Sequence, residues 1–585
     1  MAEKMTDFCA PDWVPALPRN APDSIPLCDF ILDEAYGRYP ISKAKPPFTC
    51  GLTGKEYSIL QVKDRVESLA RGLARELDWN PNKGTEWAKA VCVFTLNSID
   101  SMTVVWAVHR LSGLATPANA TYTAPELVHQ LKTSKAKAIF TCLPLLHVAL
   151  EAADVVGLSR SRIYLIELPE ACAPGLSPPK EFKTVDDLIS GGLRLPVLEP
   201  VRWNKGDGKT KVALLCFSSG TSGLPKGVMI SHFNVISNII QINTYEHAGR
   251  PEEHHDSVLG VMPQSHIYAL VVICHARVYV GDNVVNLPRY SMEWMLNAIQ
   301  RFNISTLFIV PPIIIQMANN PKLLGKYDLS AVKSVWTGAA PLAKEVAEKL
   351  LQQHPQWKVL QGYGLTETCT LVSSSSPRDP YLGSSGSLLP GISARLVTPS
   401  NELITTYDTP GELLIKSPSN ALGYFQSPTA TLETFQADGY VRTGDEAVFR
   451  KSATGYDHLF IIDRIKELIK VKGHQVAPAE LEALLLGHPL VSDCVVIPVA
   501  DDAAGEVPKA FVVKAIANGD AESVGDAELA KLLQMHVQEK TARYKWLKGG
   551  VEFIDVVPKS PSGKILRRVL RDREREKRRV AGAKL

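Results

Sequence analysis

Apolar and polar positions follow two rhythms along most of this 585-residue chain. Short apolar runs with the length of a buried strand occur at 90–96 (AVCVFTL) and 136–142 (AKAIFTC). Between them, SMTVVWAVHRLSGL at 101–114 repeats its apolar residues with helical spacing. Strands that alternate with helices predict βαβ units and largely parallel sheets. We therefore expect an α/β fold for the larger part of the chain.

After about residue 463 the pattern changes. The strand candidates become short, as in ELIKVKG, CVVIPV and KAFVVKAI, and helices are predicted at 477–489 and 527–547. Pro478 suits the first turn of the former helix. This pattern predicts a large N-terminal domain of stacked α/β subdomains at 1–463 and a small α+β domain at 464–585. The Pro- and Ser-rich stretches at 171–182 and 373–386 are typical of surface loops.

Composition narrows the class of protein. Lysine and arginine number 64 against 61 acidic residues, a balance that gives no reason to expect a nucleic acid partner. None of the ten cysteines forms a C-x-x-C pair, so reduced thiols in an intracellular compartment are expected rather than zinc or disulfides. The N-terminus lacks the apolar segment of a signal peptide, and the apolar stretches at 269–280 and 307–315 are too short for a membrane span.

The last three residues, Ala583-Lys584-Leu585, are a conservative variant of the peroxisomal address Ser-Lys-Leu. They follow a segment at 567–582 that is dense in both signs of charge, which is typical of an exposed helix end. We expect a peroxisomal import receptor as a partner, and a cytoplasmic location if this tripeptide is not used.

One glycine-rich segment, SSGTSGLPKGV at 218–228, lies between an apolar strand-like run and a buried helix-like run. A mobile surface loop is the ordinary explanation for such a composition. Between two buried elements, however, free backbone N–H groups together with hydroxyls and a lysine form a phosphate cradle. The usual P-loop has Gly-Lys followed by Ser or Thr, and here Gly227 follows Lys226, so a kinase or GTPase is disfavoured. The predicted phosphate-binding residues are Ser218, Ser219, Gly220, Thr221, Ser222, Gly223 and Lys226.

Four further stretches combine small, charged and aromatic residues: QGYGLTET (361–368), TGD (443–445), DRIKELIKVKGHQVAP (463–478) and PKSPSGKILRR (558–568). Each taken alone has an ordinary structural explanation, such as a capped turn for Asp445 or a surface charge for Lys564. Together, in this order, they resemble the adenylate-forming superfamily of acyl-CoA synthetases, luciferases and peptide-synthetase adenylation domains. The resemblance covers about residues 50–570 and is strongest to the 4-coumarate–CoA ligases, whose neighbouring segments are similar to MPQSHIYAL at 262–270 and TGAAPL at 337–342.

This resemblance implies a reaction in which a carboxylic acid and ATP give an acyl-adenylate and pyrophosphate, after which the thiol of CoA displaces AMP. It implies that the 218–227 loop holds the β- and γ-phosphates. Further implied roles are Mg²⁺ binding for Glu367, an α-phosphate contact for Thr366, and adenine stacking for Tyr363 between Gly362 and Gly364. Asp445 would accept the ribose hydroxyls, Arg464 would contact ribose or phosphate, and Lys564 would lie between the substrate carboxylate and the α-phosphate.

The resemblance also implies that the small domain rotates between the two steps. Lys466 matches the hinge, and Lys470, Gly473 and Gln475 match the second catalytic face, where a glycine leaves room for a pantetheine arm. His266 matches a histidine near the acyl carboxylate, although a buried structural histidine is the ordinary alternative. The implied acid pocket includes Tyr268, Gly338, Ala339 and Gly362.

Two positions depart from the ligase pattern. Gln264-Ser265 stands before the histidine, and Trp336 stands before TGAAPL, although a role in the core would also explain Trp336. These departures put a hydroxycinnamate substrate in doubt. We therefore expect an ATP-dependent acid–CoA ligase for an aromatic or medium-chain aliphatic acid. The alternatives are an acyl-AMP ligase that loads a carrier protein of a polyketide or peptide synthase, a luciferase-like oxygenase and a non-catalytic nucleotide-binding protein.

Overall fold

The computed structural model describes residues 7–18, 20–218, 225–248, 255–340, 342, 344–472, 474–501, 504–515, 525–560 and 562–582. Within these ranges, none of the helices has both the length and the apolar character needed to span a bilayer. All ten cysteines are free thiols, and most are buried.

The first third of the chain alternates strands with helices, as the apolar pattern predicts. Its elements are β1 (Phe8–Cys9), α1 (Leu27–Leu32), β2 (Phe48–Cys50), β3 (Glu56–Tyr57), α2 (Ile59–Leu77), β4 (Ala90–Phe94), α3 (Ser101–Arg110), β5 (Leu114–Pro117), α4 (Ala124–Ser134), β6 (Ala138–Thr141), α5 (Leu146–Val156), β7 (Ile163–Leu165), α6 (Val185–Gly192), α7 (Asp207–Thr210), β8 (Val212–Ser218), β9 (Lys226–Ser231) and α8 (His232–His247).

The middle of the chain continues this alternation and then becomes mostly strands. Its elements are β10 (Ser257–Gly260), a π-helical segment (Tyr268–Ala276), α9 (Arg277–Tyr279), β11 (Asn283–Asn286), α10 (Met292–Phe302), β12 (Thr306–Ile309), α11 (Pro311–Asn319), α12 (Pro321–Leu324), β13 (Ser334–Thr337), α13 (Lys344–Gln353), β14 (Lys358–Leu365), β15 (Thr370–Ser374), β16 (Ser387–Leu388), β17 (Ser393–Val397), β18 (Leu403–Ile404), β19 (Gly411–Lys416), α14 (Pro428–Thr434), β20 (Val441–Lys451) and β21 (Asp457–Arg464).

Three sheets form the large body. One has the order β7-β6-β4-β5-β8-β9 and is parallel except for β9. A nine-stranded sheet, β16-β15-β14-β13-β12-β10-β11-β2-β3, is parallel from β14 to β2. An antiparallel sheet, β1-β17-β19-β20-β21 with β18 beside β17, completes the body. A shared apolar core, with members from Phe8 to Leu459, joins the sheets.

The small C-terminal region has a separate apolar core, with members from Ile469 to Leu547. Its sheet, β23-β22-β25-β24 with β26 beside β25, packs against helices. The elements are β22 (Ile469–Val471), β23 (His474–Val476), α15 (Pro478–Leu486), β24 (Val491–Asp501), β25 (Gly505–Lys514), α16 (Asp526–Lys540), β26 (Val551–Phe553) and α17 (Arg567–Gly582).

The α/β fold class with a small α+β C-terminal domain is therefore confirmed. The core of the large body ends at Leu459 and that of the small domain begins at Ile469, a range that includes the expected boundary between residues 463 and 464. The helix predicted over 527–547 is shorter, because α16 ends at Lys540 and the chain then turns through a 3₁₀ segment at Arg543–Lys545.

The prediction of a surface loop at 373–386 is wrong for much of that stretch. Ser373 and Ser374 belong to β15 and are buried. Asp379, 3% exposed, accepts hydrogen bonds from the Ser452 hydroxyl at 3.0 Å and the Thr454 hydroxyl at 2.7 Å, and lies 2.9 Å from the His458 ring. Polar residues that satisfy one another can be buried at little cost, which composition does not reveal. The loop at 171–182, by contrast, is largely exposed as predicted.

Candidate active site

A cavity of about 800 Å³ lies where the carboxyl ends of β13 and β14 meet β8, β9 and the small domain. It brings together most of the predicted site residues that the structure describes. Those that line it are Ser218, Lys226, His266, Tyr268, Gly338, Ala339, Gly362, Tyr363, Gly364, Thr366, Glu367, Arg464, Lys466 and Lys564. The predicted residues Ser219, Gly220, Thr221, Ser222, Gly223 and Gly473 lie outside the described residues.

The strands on either side of the glycine-rich segment deliver two of its residues to the cavity. β8 and β9 are antiparallel, and Ser218 pairs with Lys226 at their ends. The Lys226 ammonium lies 5.2 Å from the centre of the Tyr424 ring, so this cation faces the cavity beside an aromatic wall. After β9, the Ser231 hydroxyl accepts a hydrogen bond from the Asn234 N–H at 3.1 Å and caps α8.

Glu367 holds a carboxylate at the same end of the cavity. Its Oε1 accepts hydrogen bonds from the Ser218 hydroxyl at 3.0 Å and from the Tyr424 hydroxyl at 2.9 Å. Glu367 is not part of a metal-binding cluster, since no group of three or more His, Cys, Asp or Glu side chains among the described residues converges as a metal site. A single carboxylate that shares a cation with phosphate oxygens and waters is the usual way in which proteins hold Mg²⁺, so Glu367 suits that ion.

The glycines of β14 are required by a close approach of the neighbouring strand. A Cβ on Gly364 would lie 1.4 Å from the Thr370 carbonyl oxygen, and one on Gly362 would lie 2.8 Å from a Leu371 methyl carbon. The pairing of β14 with β15 shifts register between Tyr363 and Gly364. This irregular, tight pairing directs the residues after it into the cavity.

A hydrogen bond and an ion pair join Tyr363, Asp445 and Arg464. The Tyr363 hydroxyl donates to Asp445 Oδ2 at 2.6 Å, and Arg464 Nε lies 3.3 Å from Asp445 Oδ1. Asp445 and Arg464 are direct partners across β20 and β21. Burial raises the pKa of Asp445 although Arg464 and Tyr363 act to lower it. A carboxylate has about four acceptor positions, so Asp445 retains capacity for the two hydroxyls of a ribose.

Lys564 enters the cavity from the small domain on a tight loop. The loop is closed by hydrogen bonds from the Ser560 N–H to the Lys564 carbonyl and from the Gly563 N–H to the Ser560 carbonyl, both 2.8 Å. Gly563 has φ +80°, and a Cβ there would lie 2.7 Å from a Val310 methyl carbon of the large body. Burial, reinforced by Arg464, lowers the pKa of Lys564 to about 8, against the pull of Asp445 and Glu367.

His266 lines the cavity as a neutral ring. Its Nδ1 accepts a hydrogen bond from the Tyr268 N–H at 3.3 Å. Burial, together with the nearby Lys564, lowers the pKa of His266 to about 4. Near neutral pH this side chain therefore offers a hydrogen bond rather than a positive charge.

The predicted second catalytic face is elsewhere. Lys470 and Gln475 are direct cross-strand partners on β22 and β23, and both side chains are exposed and do not line the cavity. The Lys470 N–H donates to Glu506 Oε2 at 2.9 Å. Lys466, the predicted hinge, is exposed at the cavity edge between β21 and β22. The structure thus separates the two predicted lysines.

Several cavity residues were not predicted. Trp336, for which a core role was an open explanation, is half-buried and lines the cavity, where its ring stacks 6.1 Å from that of Phe308. Phe308 lies in an apolar run that gives no sign of a ligand. Gln264, one of the departures from the ligase pattern, points away from the cavity: its Oε1 accepts from the Ser98 N–H at 2.9 Å in the core.

The chain is similar to known enzymes over most of its length. The AMP-binding enzyme family matches residues 41–425, and the AMP-binding enzyme C-terminal domain matches residues 480–564. The acyl-CoA ligase easD of Emericella nidulans is 42% identical over 564 residues, which cover 96% of this chain and 99% of that protein.

Solved structures share the fold. The anthranilate CoA ligase AuaEII in complex with anthranoyl-AMP superposes with a TM-score of 0.78 at 21% identity, covering 94% of this chain and 98% of that chain. The amide bond synthetase McbA from Marinactinospora thermotolerans gives a TM-score of 0.74 at 21% identity, covering 93% of this chain and 98% of that chain. At these identities the likeness concerns the fold alone.

Proposed function

Because this chain belongs to the AMP-binding enzymes of the adenylate-forming superfamily, we propose that it is an ATP-dependent acid–CoA ligase. The superfamily and the enzyme class of AMP-forming ligases, both predicted from the motifs, are confirmed by the match over residues 41–425 and by the curated relative. In the proposed reaction, the acid attacks the α-phosphate of ATP and releases pyrophosphate. The CoA thiol then attacks the acyl carbon and releases AMP.

The observation that carries the proposal is the position of Lys564. Its partly desolvated ammonium enters a cavity that also holds Glu367 and Lys226, and Asp445 lies behind the cavity wall, where it accepts a hydrogen bond from the lining residue Tyr363. Adenylation joins an anionic carboxylate to an anionic phosphate, so it depends on neutralising charge and fixing both groups in line. A cation between the two groups supplies that neutralisation where charge develops, and its attraction to them is stronger because burial lowers the local dielectric.

The other cavity residues fit the nucleotide. Glu367 would hold Mg²⁺, which bridges phosphate oxygens and offsets their charge. Thr366, next to it, would contact the α-phosphate, and Lys226 would reach the outer phosphates. Tyr363 would lie against the adenine while Asp445 accepts the ribose hydroxyls. Neutral His266, which also lines the cavity, would hydrogen-bond the acid's carboxylate.

The second step requires a different surface. Lys470 and Gln475 are outside the cavity, so they would reach the acyl carbon only after the small domain turns about Lys466. Such a rotation withdraws Lys564 and leaves room for the CoA arm. This supports the assignment of one lysine to each half-reaction.

The acid is proposed to be aromatic or medium-chain aliphatic. Support comes from the lining of the cavity beyond Gly362, where Tyr268, Val272, Phe308 and Trp336 provide apolar surface. The size of an apolar pocket discriminates weakly between acids that differ by one methylene, about 1–3 kcal/mol, so the choice is made by assay.

The test is substrate-dependent release of pyrophosphate and AMP from ATP and Mg²⁺. A panel of aryl, cinnamyl and saturated acids is incubated with and without CoA, and the products are identified by mass spectrometry. Formation of an acyl-CoA from any acid supports the ligase. Pyrophosphate release without acyl-CoA, in the presence of CoA, would favour transfer to a carrier protein. Absence of pyrophosphate with every acid would contradict the proposed function itself.

We also propose peroxisomal import through Ala583-Lys584-Leu585, which lie outside the described residues. The tripeptide follows α17, whose Leu570 is buried against the small domain while many of its charged side chains are exposed. Deletion of Lys584-Leu585 should leave catalysis unchanged and make an N-terminally tagged protein cytosolic. An unchanged punctate distribution would contradict this.

A further inference from the structure

A short segment between β19 and α14, residues 421–425, connects Glu367 to the strand that follows the glycine-rich segment. Its first residue donates its N–H, that of Ala421, to the Glu367 carbonyl at 2.9 Å. The residues after it pair with β9, and near the start of that strand the Phe425 N–H donates to the Gly227 carbonyl at 2.8 Å. One end of this segment is therefore fixed to the carboxylate residue of the cavity and the other end to β9.

Tyr424 lies within this segment, and its side chain contacts both groups. Its hydroxyl donates to Glu367 Oε1 at 2.9 Å, and the centre of its ring lies 5.2 Å from the Lys226 ammonium. The Ser218 hydroxyl donates to the same carboxylate oxygen at 3.0 Å. Two donors on one oxygen restrict the rotation of the Glu367 carboxylate. Tyr424 is itself fixed, because its N–H donates to the Thr431 hydroxyl oxygen at 3.0 Å.

The Tyr424 hydroxyl is suited to a permanent role as a donor. Burial, reinforced by the Glu367 carboxylate, raises the pKa of Tyr424, so the hydroxyl keeps its proton at neutral and moderately alkaline pH. A hydrogen bond from a neutral hydroxyl to an ionised carboxylate is stronger than one between two neutral groups. The contact therefore orders Glu367 over the range of pH in which the carboxylate is ionised.

From these contacts we propose that Tyr424 is a positioning residue for the divalent cation, because it holds the Glu367 carboxylate in place for an ion bound together with the nucleotide. The inference rests on the proposed function, which assigns Mg²⁺ to Glu367 and the outer phosphates to Lys226. A ligand that is ordered before binding loses less conformational freedom when the ion binds, so the affinity is higher. Partners that orient a metal ligand are accordingly important for the affinity of the site.

The test measures, by isothermal titration calorimetry, the dissociation constant of the full-length enzyme for α,β-methylene-ATP in excess Mg²⁺ and again in EDTA. The ratio of the two constants reports the contribution of the ion. In Tyr424→Phe this ratio should fall by roughly 10-fold, the lower end of the effect of such partners, because Ser218 still donates to Glu367. The constant in EDTA should not change. In assays of pyrophosphate release, the Mg²⁺ concentration that gives the half-maximal rate should rise, while KM for the acid should not.

Tyr440→Phe is the matched control. The Tyr440 hydroxyl also donates to a carboxylate, Asp7 Oδ2 at 2.6 Å, but Tyr440 does not line the cavity. This variant loses the same kind of hydrogen bond, and its Mg²⁺ ratio should equal that of the wild type. Because the ratio is obtained from one enzyme sample, a misfolded fraction lowers the number of sites without altering it.

A double-mutant cycle tests whether Tyr424 acts through Glu367. In the Glu367→Ala background, adding Tyr424→Phe should not reduce the Mg²⁺ ratio any further. A further reduction there would overturn the inference, as would an unchanged ratio in Tyr424→Phe alone or an equal loss of affinity with and without Mg²⁺. Absence of any Mg²⁺ effect in the wild type would overturn both the inference and the proposed metal role of Glu367. Absence of nucleotide binding under both conditions would contradict the proposed ligase itself.

Discussion

The two lysines proposed for catalysis are held in contrasting ways within the same small domain. Lys564 lies in the cavity, where burial lowers its pKa to about 8. Lys470 is exposed on β22, away from the cavity. A lysine that neutralises developing charge is most effective when desolvated, whereas one that meets the incoming thiol arm of CoA must be reachable from solvent. Under the proposed roles, this arrangement would serve adenylation and the second step would require another one.

The supports of the two lysines differ as well. The Lys564 loop is positioned partly by the large body, because Gly563 lies against Val310. The hairpin that carries Lys470 depends on its own domain, since Val471 and Val476 are buried in the small-domain core. Perturbing the contact between the domains should therefore affect adenylation and leave the second face intact.

The largest effect is expected from Lys564→Ala. Loss of one preorganised charge typically costs about 2.7–4 kcal/mol, so acid-dependent pyrophosphate release should fall roughly 10²- to 10³-fold. Formation of thioester from supplied acyl-adenylate and CoA should remain near the wild-type rate, as followed by mass spectrometry. Arg568→Ala, which removes a nearby exposed cation paired with Asp572, is the control and should leave both steps unchanged. Equal losses in both steps for Lys564→Ala would refute the separation of roles.

The reverse pattern is expected from Lys470→Ala. The thioester step should fall by roughly 10- to 100-fold, the cost of losing a contact made by a charged group. Adenylation, measured as pyrophosphate release without CoA, should stay within about twofold of wild type. Lys472→Ala, at the neighbouring exposed position, is the matched control. A fall in adenylation would mean that the hairpin contributes to the cavity in a way that this structure does not show.

The sequence indicated the charged residues of the cavity better than its apolar lining. The apolar runs on either side of the glycine-rich segment predicted β8 and α8, and the resemblance of short motifs to a known superfamily singled out Lys564, Asp445 and Glu367, because each belongs to a short pattern of chemically distinctive residues. Phe308 and Trp336 lie in apolar segments, where a pocket wall and a core residue have the same signature. Glu246, which also lines the cavity, resembles an ordinary charged residue near the end of α8, and only the packing of that helix reveals its position.

A smaller effect on the same comparison is expected from Gly563→Ala. Its φ of +80° is unfavourable for alanine, and the added Cβ would meet Val310 at 2.7 Å. Strain of about 1–3 kcal/mol corresponds to a loss of adenylation of roughly 5- to 150-fold, with the lower part expected because the loop can shift. Gly563→Ala combined with Val310→Ala should recover part of the rate by relieving the contact. The thioester step should not change in either variant, and a loss there would mean that this loop also serves the second step.

The smallest effect concerns pH and distinguishes the two lysines without a structural change. Lys564 neutralises charge only while protonated, and its pKa of about 8 lies below the ordinary lysine value. The adenylation kcat/KM, measured at subsaturating acid, should therefore decline as pH rises through about 8, approaching about tenfold per pH unit. Lys564→Arg should lose this alkaline decline because a guanidinium stays protonated.

The thioester step, which does not use Lys564, should lack the decline near pH 8. A decline that persists in Lys564→Arg would assign the titration to another group, and His266 is not a candidate because its pKa of about 4 leaves it neutral throughout this range.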